Sequence, residues 1–200
     1  MKLYLASGNA HKVQEFQALA DASGCGIEII SAKSVGGMPH VVEDAGTFIG
    51  NATKKARALK ALLPSDSWVL ADDSGLCVDA LDGAPGVESA YYAGPQSDSA
   101  ANLAKLVQTM RDVPDAQRGA HFICVLLLID AAGREHVFEG RCDGRLLHDQ
   151  RGGAGFGYDP LFVPAGESRT TAEMAEAEKN AISHRGQAAS LLWRWLSSST

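Results

Sequence analysis

Trp68 to Gly94 reads WVLADDSGLCVDALDGAPGVESAYYAG, and the rest of the chain organises around it. It opens with an apolar run, Trp68 to Ala71, that predicts a buried strand. Asp72 and Asp73 stand at the end of that run, followed by Ser74 and Gly75. Side chains alternate along a strand, so the two neighbouring carboxylates are expected to point in different directions. One can then face a cleft while the other braces a loop or holds a second ligand. Carboxylates at the carboxyl end of a strand suit a hard cation such as Mg2+, which takes oxygen ligands and keeps several waters. Alone, DDSG reads at least as well as a solvated turn capping a helix or loop.

Toward the amino terminus, Leu3 to Ala6 predicts a first strand, and SGNAHK (7–12) a polar loop entering a helix. That helix carries Val13, Phe16, Leu19 and Ala20 on one stripe and stops near Gly24. A strand leading through a small loop to a helix start offers first-turn N–H groups to an anion, and Lys12 adds a full positive charge. The GxxxxGK[S/T] pattern is absent, so this is not a Walker A loop, and an ordinary strand-turn-helix reads as well. Ile27 to Ile30 predicts a second strand. An irregular stretch with Glu43 and Asp44 precedes a helix capped by Thr47, with Phe48, Ala52, Ala56, Leu59 and Leu63 on its stripe and Pro64 at its end. Lys54, Lys55 and Arg57 lie on or beside its other face.

Toward the carboxyl terminus, Asp82 to Gly86 reads as a tight turn, and Asp98 to Met110 as a helix. His121 to Asp130 and Glu135 to Arg141, joined through Ala131-Ala132-Gly133, predict a hairpin. RGGAGFGYDP (151–160) then places four glycines in a short loop, where the backbone bends sharply or lies close to a ligand. Phe156 and Tyr158 offer aromatic faces and Asp159 an acceptor, so a planar heterocycle has something to stack on and bond to. The same loop also reads as a surface loop with its aromatics tucked into the core. A last helix starts near Ser183, with Ala188, Leu191, Leu192 and Trp195 on one face. His184 and Arg185 fall in its first turn, where basic residues oppose the dipole and an anionic ligand would relieve the conflict.

Two hundred residues, 46% hydrophobic and 21% charged, fit one domain, 1–200, with a core of its own. A net charge of −6 argues against a broad nucleic-acid surface. Cys25, Cys77, Cys124 and Cys142 are far apart with no CxxC pair, which gives neither a zinc site nor a disulfide framework. Cys77 and Cys124 lie in apolar runs and read as packing residues. No stretch resembles a secretory signal, and the longest apolar run, Phe122 to Ile129, falls far short of the roughly 20 residues of a membrane helix. A soluble, cytoplasmic protein with no membrane partner is expected.

Together these segments resemble the Ham1/RdgB-type inosine/xanthosine triphosphate pyrophosphatases. SGNAHK (7–12) is similar to that family's phosphate loop, VVEDAGTF (41–48) to its acidic segment, and NATKKA (51–56) to the following helix start. ADDSGL (71–76) and GAPGVESA (83–90) are similar to its central signature, GFGYDPLF (155–162) and AEKNAISHRGQA (177–188) to its two carboxyl-terminal ones. The resemblance implies an α/β fold, a long mixed sheet flanked by helices whose two lobes enclose an active-site cleft, in a homodimer. It implies a Mg2+-dependent enzyme that splits ITP, dITP or XTP into the monophosphate and pyrophosphate, clearing deaminated purines from the nucleotide pool. Asp73 would be the general base and a metal ligand, and Glu43 a second metal-binding carboxylate. Ser7, Gly8, Asn9, Ala10, His11, Lys12, Lys55 and Ser74 would meet the triphosphate. Phe156, Gly157, Tyr158, Asp159, Lys179, His184 and Arg185 would hold the base and sugar.

That chemistry agrees with the residues. Lysines and a cation stabilise charge gathering on a leaving pyrophosphate while a carboxylate orients and deprotonates water. Hypoxanthine and xanthine present a carbonyl at C6, so donors from Arg185 or the loop backbone would accept them and mismatch adenine. Two departures stand out: family members commonly carry a carboxylate at the place of Gly50 and a basic residue at that of Tyr91. Two rival readings follow, a related pyrophosphatase for modified pyrimidine nucleotides and a nucleotide-binding protein without turnover.

Overall fold

A computed structural model describes residues 1–199. Among the described residues six strands and five α-helices follow in this order: β1 (Lys2–Leu5), α1 (Ala10–Ser23), β2 (Glu28–Ser31), α2 (Phe48–Lys60), β3 (Val69–Val78), α3 (Ser99–Thr109), β4 (Gly119–Ile129), β5 (Glu135–Leu146), β6 (Phe162–Pro164), α4 (Glu176–Ile182) and α5 (His184–Ser199). The sheet order is β2-β1-β3-β4-β5-β6. β1 pairs parallel with both β2 and β3, while β5 and β6 pair antiparallel, so the sheet is mixed. The expected hairpin forms from β4 and β5. The Asp130 N–H donates to the Arg134 carbonyl at 3.0 Å, and a turn that short joins only antiparallel neighbours.

The chain folds as two compact units. Among the described residues one comprises 1–73, 124–140 and 185–199, the other 74–123 and 141–184. In the first, both faces of the sheet are covered. Leu3, Leu5, Leu70, Leu126 and Leu128 pack with Phe16 and Ala20 of α1 and with Ala188, Ala189 and Leu192 of α5. Val69, Ala71, Leu127 and Ile129, one residue out of phase, pack with Ala52, Ala56 and Leu59 of α2. This is the side-chain alternation of a strand buried on both sides. In the second unit, Leu76, Val78, Phe122 and Phe162 pack with Leu103, Leu106 and Met110 from α3 and its end. Arg118, 2% exposed, ties that unit together by donating to the carbonyls of Met110, Leu146 and Leu147 at 2.6–2.9 Å.

Local signals explain the helix ends. Asn9 caps α1 and Gly24 closes it at φ 68°; Thr47 caps α2 and Asp98 caps α3 through side-chain oxygens on first-turn amides. Two expectations need correction. Asp72 and Asp73 lie within β3 rather than at its end, because Leu76 and Val78 carry the apolar alternation on into a second core. Leu191 is 40% exposed, and α5 buries Ala189, Trp193 and Leu196 beside Ala188 and Leu192 instead. The helix α4, unpredicted, precedes α5 directly, its start held by Glu178 accepting the Ala175 N–H at 2.9 Å. Among the described residues no helix is long and apolar enough to cross a membrane.

Candidate active site

The alternation that packs β3 also sorts its charges. Residues in phase with Leu70 look toward α1 and α5, and those in phase with Val69 and Ala71 look toward α2. Asp72 therefore meets Lys12 of α1, with Nζ at 3.0 Å from Oδ2, and Arg185 of α5, with Nε and Nη2 at 3.2 and 3.1 Å. Asp73 meets Lys55 of α2, with Nζ 2.5 Å from Oδ1. The expectation that the two carboxylates diverge holds, each on a different cation.

On the Asp72 side, Arg185 is 2% exposed and also donates through Nη1 to Glu15 at 2.7 Å. Burial pulls the guanidinium down, but Asp72 and Glu15 outweigh it and its pKa ends above the usual value. The buried Cys124 thiol donates to Asp72 Oδ1 at 3.5 Å. The result is a dry chain of charges, Glu15–Arg185–Asp72–Lys12, in which Lys12 is the one member at its more open end, with 17% of its side chain exposed.

On the Asp73 side, Lys55 bridges two carboxylates, Asp73 and Glu43, the latter at 3.0 Å. Burial lowers the Lys55 ammonium, yet the two carboxylates raise it more. Asp73 is 6% exposed, and its Oδ2 is buried without a hydrogen-bond partner. Burial pushes its pKa from 3.8 up to about 6, against the pull of Lys55 and Lys12 and with Glu43 adding to the rise. A carboxylate poised near neutrality, with one oxygen on an ammonium and the other unengaged, has the properties of a general base. Asn51, one helical turn before Lys55, accepts the Ala45 N–H at 3.1 Å and anchors the segment that carries Glu43.

At the start of α1, Asn9 Oδ1 accepts the His11 and Lys12 amides at 2.9 and 3.4 Å, and the Asn9 N–H donates to Ser7 Oγ at 3.1 Å. The first-turn amides expected to meet an anion are thus partly engaged by the cap, and Lys12 contributes its side chain. Gly8 and Ala10 complete this loop and first turn, and Ser74 follows Asp73 in β3.

The second unit brings together another set. Asp159 Oδ2 accepts the Phe156 N–H and the Lys179 ammonium, both at 2.8 Å, while Oδ1 accepts the Thr171 hydroxyl at 2.9 Å. Asp159 therefore staples the glycine loop to α4 and to the segment before it. Gly155 needs its φ of +78°, and an added Cβ would lie 2.3 Å from Asp159 Oδ2. Gly157 also has positive φ, at +64°. Phe156 stays half-buried with the Lys179 ammonium 5.3 Å from its ring centre. Tyr158 is a core residue, 5% exposed, its hydroxyl donating to the Ser89 carbonyl at 2.8 Å, and burial raises its pKa. His184 stacks on Phe122 with ring centres 4.8 Å apart and planes 12° from parallel. In the first unit the structure forms two networks, Lys12 and Arg185 on Asp72, and Lys55 on Asp73 and Glu43, with Ser7 and Asn9 at the start of α1. In the second it joins Phe156, Asp159 and Lys179.

Sequence reasoning missed Glu15, Asn51 and Thr171. The first two had a signal, since Glu15 is three residues after Lys12 and Asn51 four before Lys55, spacings that share a helix face. Thr171 had none, because its partner Asp159 lies across an irregular stretch.

Comparison with known proteins agrees. The Ham1 family model matches residues 3–195. A dITP/XTP pyrophosphatase of Opitutus terrae is 62% identical over 199 residues, 98% of each chain. A HAM1 protein of Coxiella burnetii superposes with a TM-score of 0.87 at 36% identity over 99% of both chains, and the Staphylococcus aureus Ham1 protein with 0.86 at 32% identity over 100% of both. On sequence across nearly its full length and on fold, the chain belongs to the Ham1 family.

Proposed function

We propose that this chain hydrolyses deaminated purine nucleoside triphosphates, ITP, dITP and XTP, to the monophosphate and pyrophosphate, keeping them out of nucleic acid. Asp73 carries this reading: a buried carboxylate held on Lys55, raised to about 6, with one oxygen unengaged. The relatives named dITP/XTP pyrophosphatases support the substrate class.

Asp73 accepts the proton of the attacking water as that water adds to the α-phosphorus, and the bond to the pyrophosphate oxygen breaks. Lys12 and Lys55, with Ser7 to His11 and Ser74, serve to neutralise the charge that gathers on the leaving pyrophosphate. Phe156, Gly157, Lys179 and His184 serve the base and sugar end, with Tyr158 and Asp159 fixing the loop's shape. Arg185 spends at least three of its five donors on Asp72 and Glu15 and orders the Lys12 side of the site.

The donor set fits Mg2+. Two carboxylates, Asp73 and Glu43, converge on one ammonium, and Asp73 Oδ2 is an orphaned buried acceptor. Hard oxygen donors in that number match a cation that fills its shell with water and phosphate oxygens. Bound there, Mg2+ would add positive charge against the phosphates. We place the enzyme in the cytoplasm as a homodimer.

The test is a panel of ITP, dITP, XTP, GTP, ATP and modified pyrimidine triphosphates with Mg2+, scoring pyrophosphate against orthophosphate. Pyrophosphate from the three deaminated purines above the rest is expected. Orthophosphate as direct product, a preference for pyrimidines, or tight ITP binding without product overturns the reading.

A further inference from the structure

In the first unit, the side of β3 that faces α2 holds two complementary polar groups that the protein itself does not pair. Asn51 is 1% exposed, and its Oδ1 accepts the Ala45 N–H at 3.1 Å. Only the carbonyl oxygen of a carboxamide can accept that hydrogen, so the donor end, Nδ2, points away from Ala45. Nδ2 is buried without a partner, and so is Oδ2 of Asp73, a residue 6% exposed. Buried polar groups are nearly always paired, and a native exception calls for a reason such as a bound water or a catalytic role.

The two groups belong to one part of the site. Asn51 and Lys55 stand four residues apart on α2 and share a face. Helix and strand run antiparallel: Lys60, at the helix end, bonds to the Ser67 carbonyl just before β3, while Lys55 bonds to Asp73 farther along it. One turn beyond Lys55 in that direction, Asn51 comes alongside Asp73. One group offers a hydrogen and the other takes one, yet neither satisfies the other directly. A water can serve both at once, with hydrogens to give and lone pairs to receive.

We propose, on the reading of this site as a hydrolase, that Asn51 is a second catalytic residue, whose Nδ2–H holds the water that Asp73 deprotonates. The water directs one hydrogen to Asp73 Oδ2 and accepts the Asn51 amide hydrogen on one lone pair. Its other lone pair forms the bond to the α-phosphorus. The bond from that phosphorus to the pyrophosphate oxygen breaks, its electron pair leaves with the pyrophosphate, and the proton passes to Asp73. Water is the only co-reactant. A carboxylate oxygen has more than one lone pair, so a cation on Asp73 and this water do not exclude each other. Holding the water between two fixed groups removes part of the orientational cost of the step. Because Oδ1 of the same side chain pins Ala45, Asn51 serves both the water and the segment that carries Glu43.

Two variants of the full chain separate the roles. Asn51→Asp keeps an acceptor for Ala45 and adds a charge; Asn51→Leu adds no charge and loses that acceptor. What both lack is the Nδ2–H. Pyrophosphate release from ITP is read on the plateau above the acid limb, where a moved Asp73 pKa no longer counts. Both variants should lose about 10- to 100-fold in kcat there, the weight of one hydrogen bond in the transition state, and more than they change in KM. Wild-type kcat in Asn51→Asp, or a loss carried by KM alone, makes Asn51 a loop anchor and overturns the proposal. A crystal structure of the nucleotide-free wild-type chain needs neither turnover nor a variant that folds. An ordered water within hydrogen-bond distance of both Asn51 Nδ2 and Asp73 Oδ2 is expected; Nδ2 bonded to protein, or no water shared by the two, overturns it. Failure of the hydrolysis itself would show as no pyrophosphate from any triphosphate with wild type, and failure of this role alone as normal turnover by Asn51→Asp.

Discussion

Replacing Asp73 by Asn keeps the shape of the side chain and removes its charge and its basicity. In the native site burial pushes the Asp73 pKa up to about 6, so near pH 7 roughly nine in ten molecules hold it ionised. Wild-type kcat/KM should rise tenfold per pH unit below 6 and level above it. Asp73→Asn should lower turnover by about 10²–10⁴-fold, the usual weight of a general base, and should erase that acid limb. The same group has a second, non-catalytic signature. Its folded pKa lies above the unfolded value of 3.8, so the native state binds the proton more tightly. Stability contributed by the protonated form is therefore present at low pH and lost as pH rises from about 4 through 6. Urea unfolding of wild type and variant across that window should diverge by up to about 3 kcal/mol and run parallel above it. Steady-state pyrophosphate release gives the first readout. A variant within tenfold of wild type, or one that keeps the acid limb, would falsify the role of Asp73. Parallel unfolding curves throughout would remove the raised pKa.

Other perturbations test the neighbours. Lys55→Met takes away the cation shared by Asp73 and Glu43, so the acid limb of the rate profile should move to higher pH and KM should rise; an unmoved limb refutes the bridge. Arg185→Gln leaves Asp72 and Glu15 buried without their cation and should lower unfolding free energy by about 3–5 kcal/mol, read by urea denaturation. Gly155→Ala forces a Cβ against Asp159 and should raise KM for ITP well beyond any change in kcat, seen in initial rates. Chelation should abolish pyrophosphate release and added Mg2+ restore it, measured with excess EDTA and back-titration.

The first unit was legible because its signals are local. Val69 to Ala71 is an unbroken apolar run, and neighbours on a strand part company, so two adjacent carboxylates had to serve two environments. Asn9, Gly24, Thr47 and Asp98 sit at helix ends for reasons contained in a few residues. What one sequence hides is the partner across space. Arg185 and Asp72 are 113 residues apart, and Arg185 and Glu15 are 170 apart, so the basic residue that seemed misplaced in a first helical turn already had its counter-charges within the protein. Likewise α4 has no apolar stripe to find, since its contribution is Lys179 on Asp159 and a start capped by Glu178. Leu191 was misread because the buried stripe of α5 is rotated one residue toward the carboxyl terminus, adding Ala189, Trp193 and Leu196 to Ala188 and Leu192.

Gly50 shows how a departure in sequence becomes a statement about packing. It sits three residues after the Thr47 cap and donates its N–H to the Thr47 hydroxyl at 3.1 Å. A glutamate at that position could in principle reach back to the cap and complete a capping box, a local gain. The surrounding loop opposes it: a Cβ added at Gly50 would lie 2.5 Å from the Ala45 Cβ and 2.8 Å from the Thr47 Oγ1. Ala45 cannot simply withdraw, because its N–H is held by Asn51, and the same segment carries Glu43 to Lys55. Gly50→Glu alone should therefore lower stability by about 1–3 kcal/mol, the cost of overpacking a fixed site, and should weaken Mg2+ activation by displacing Glu43. Ala45→Gly in the same chain removes the obstructing methyl and should recover most of both losses, a coupling that a double-mutant cycle measures directly. Additive losses in the double variant would mean that Ala45 is not what excludes a side chain at position 50.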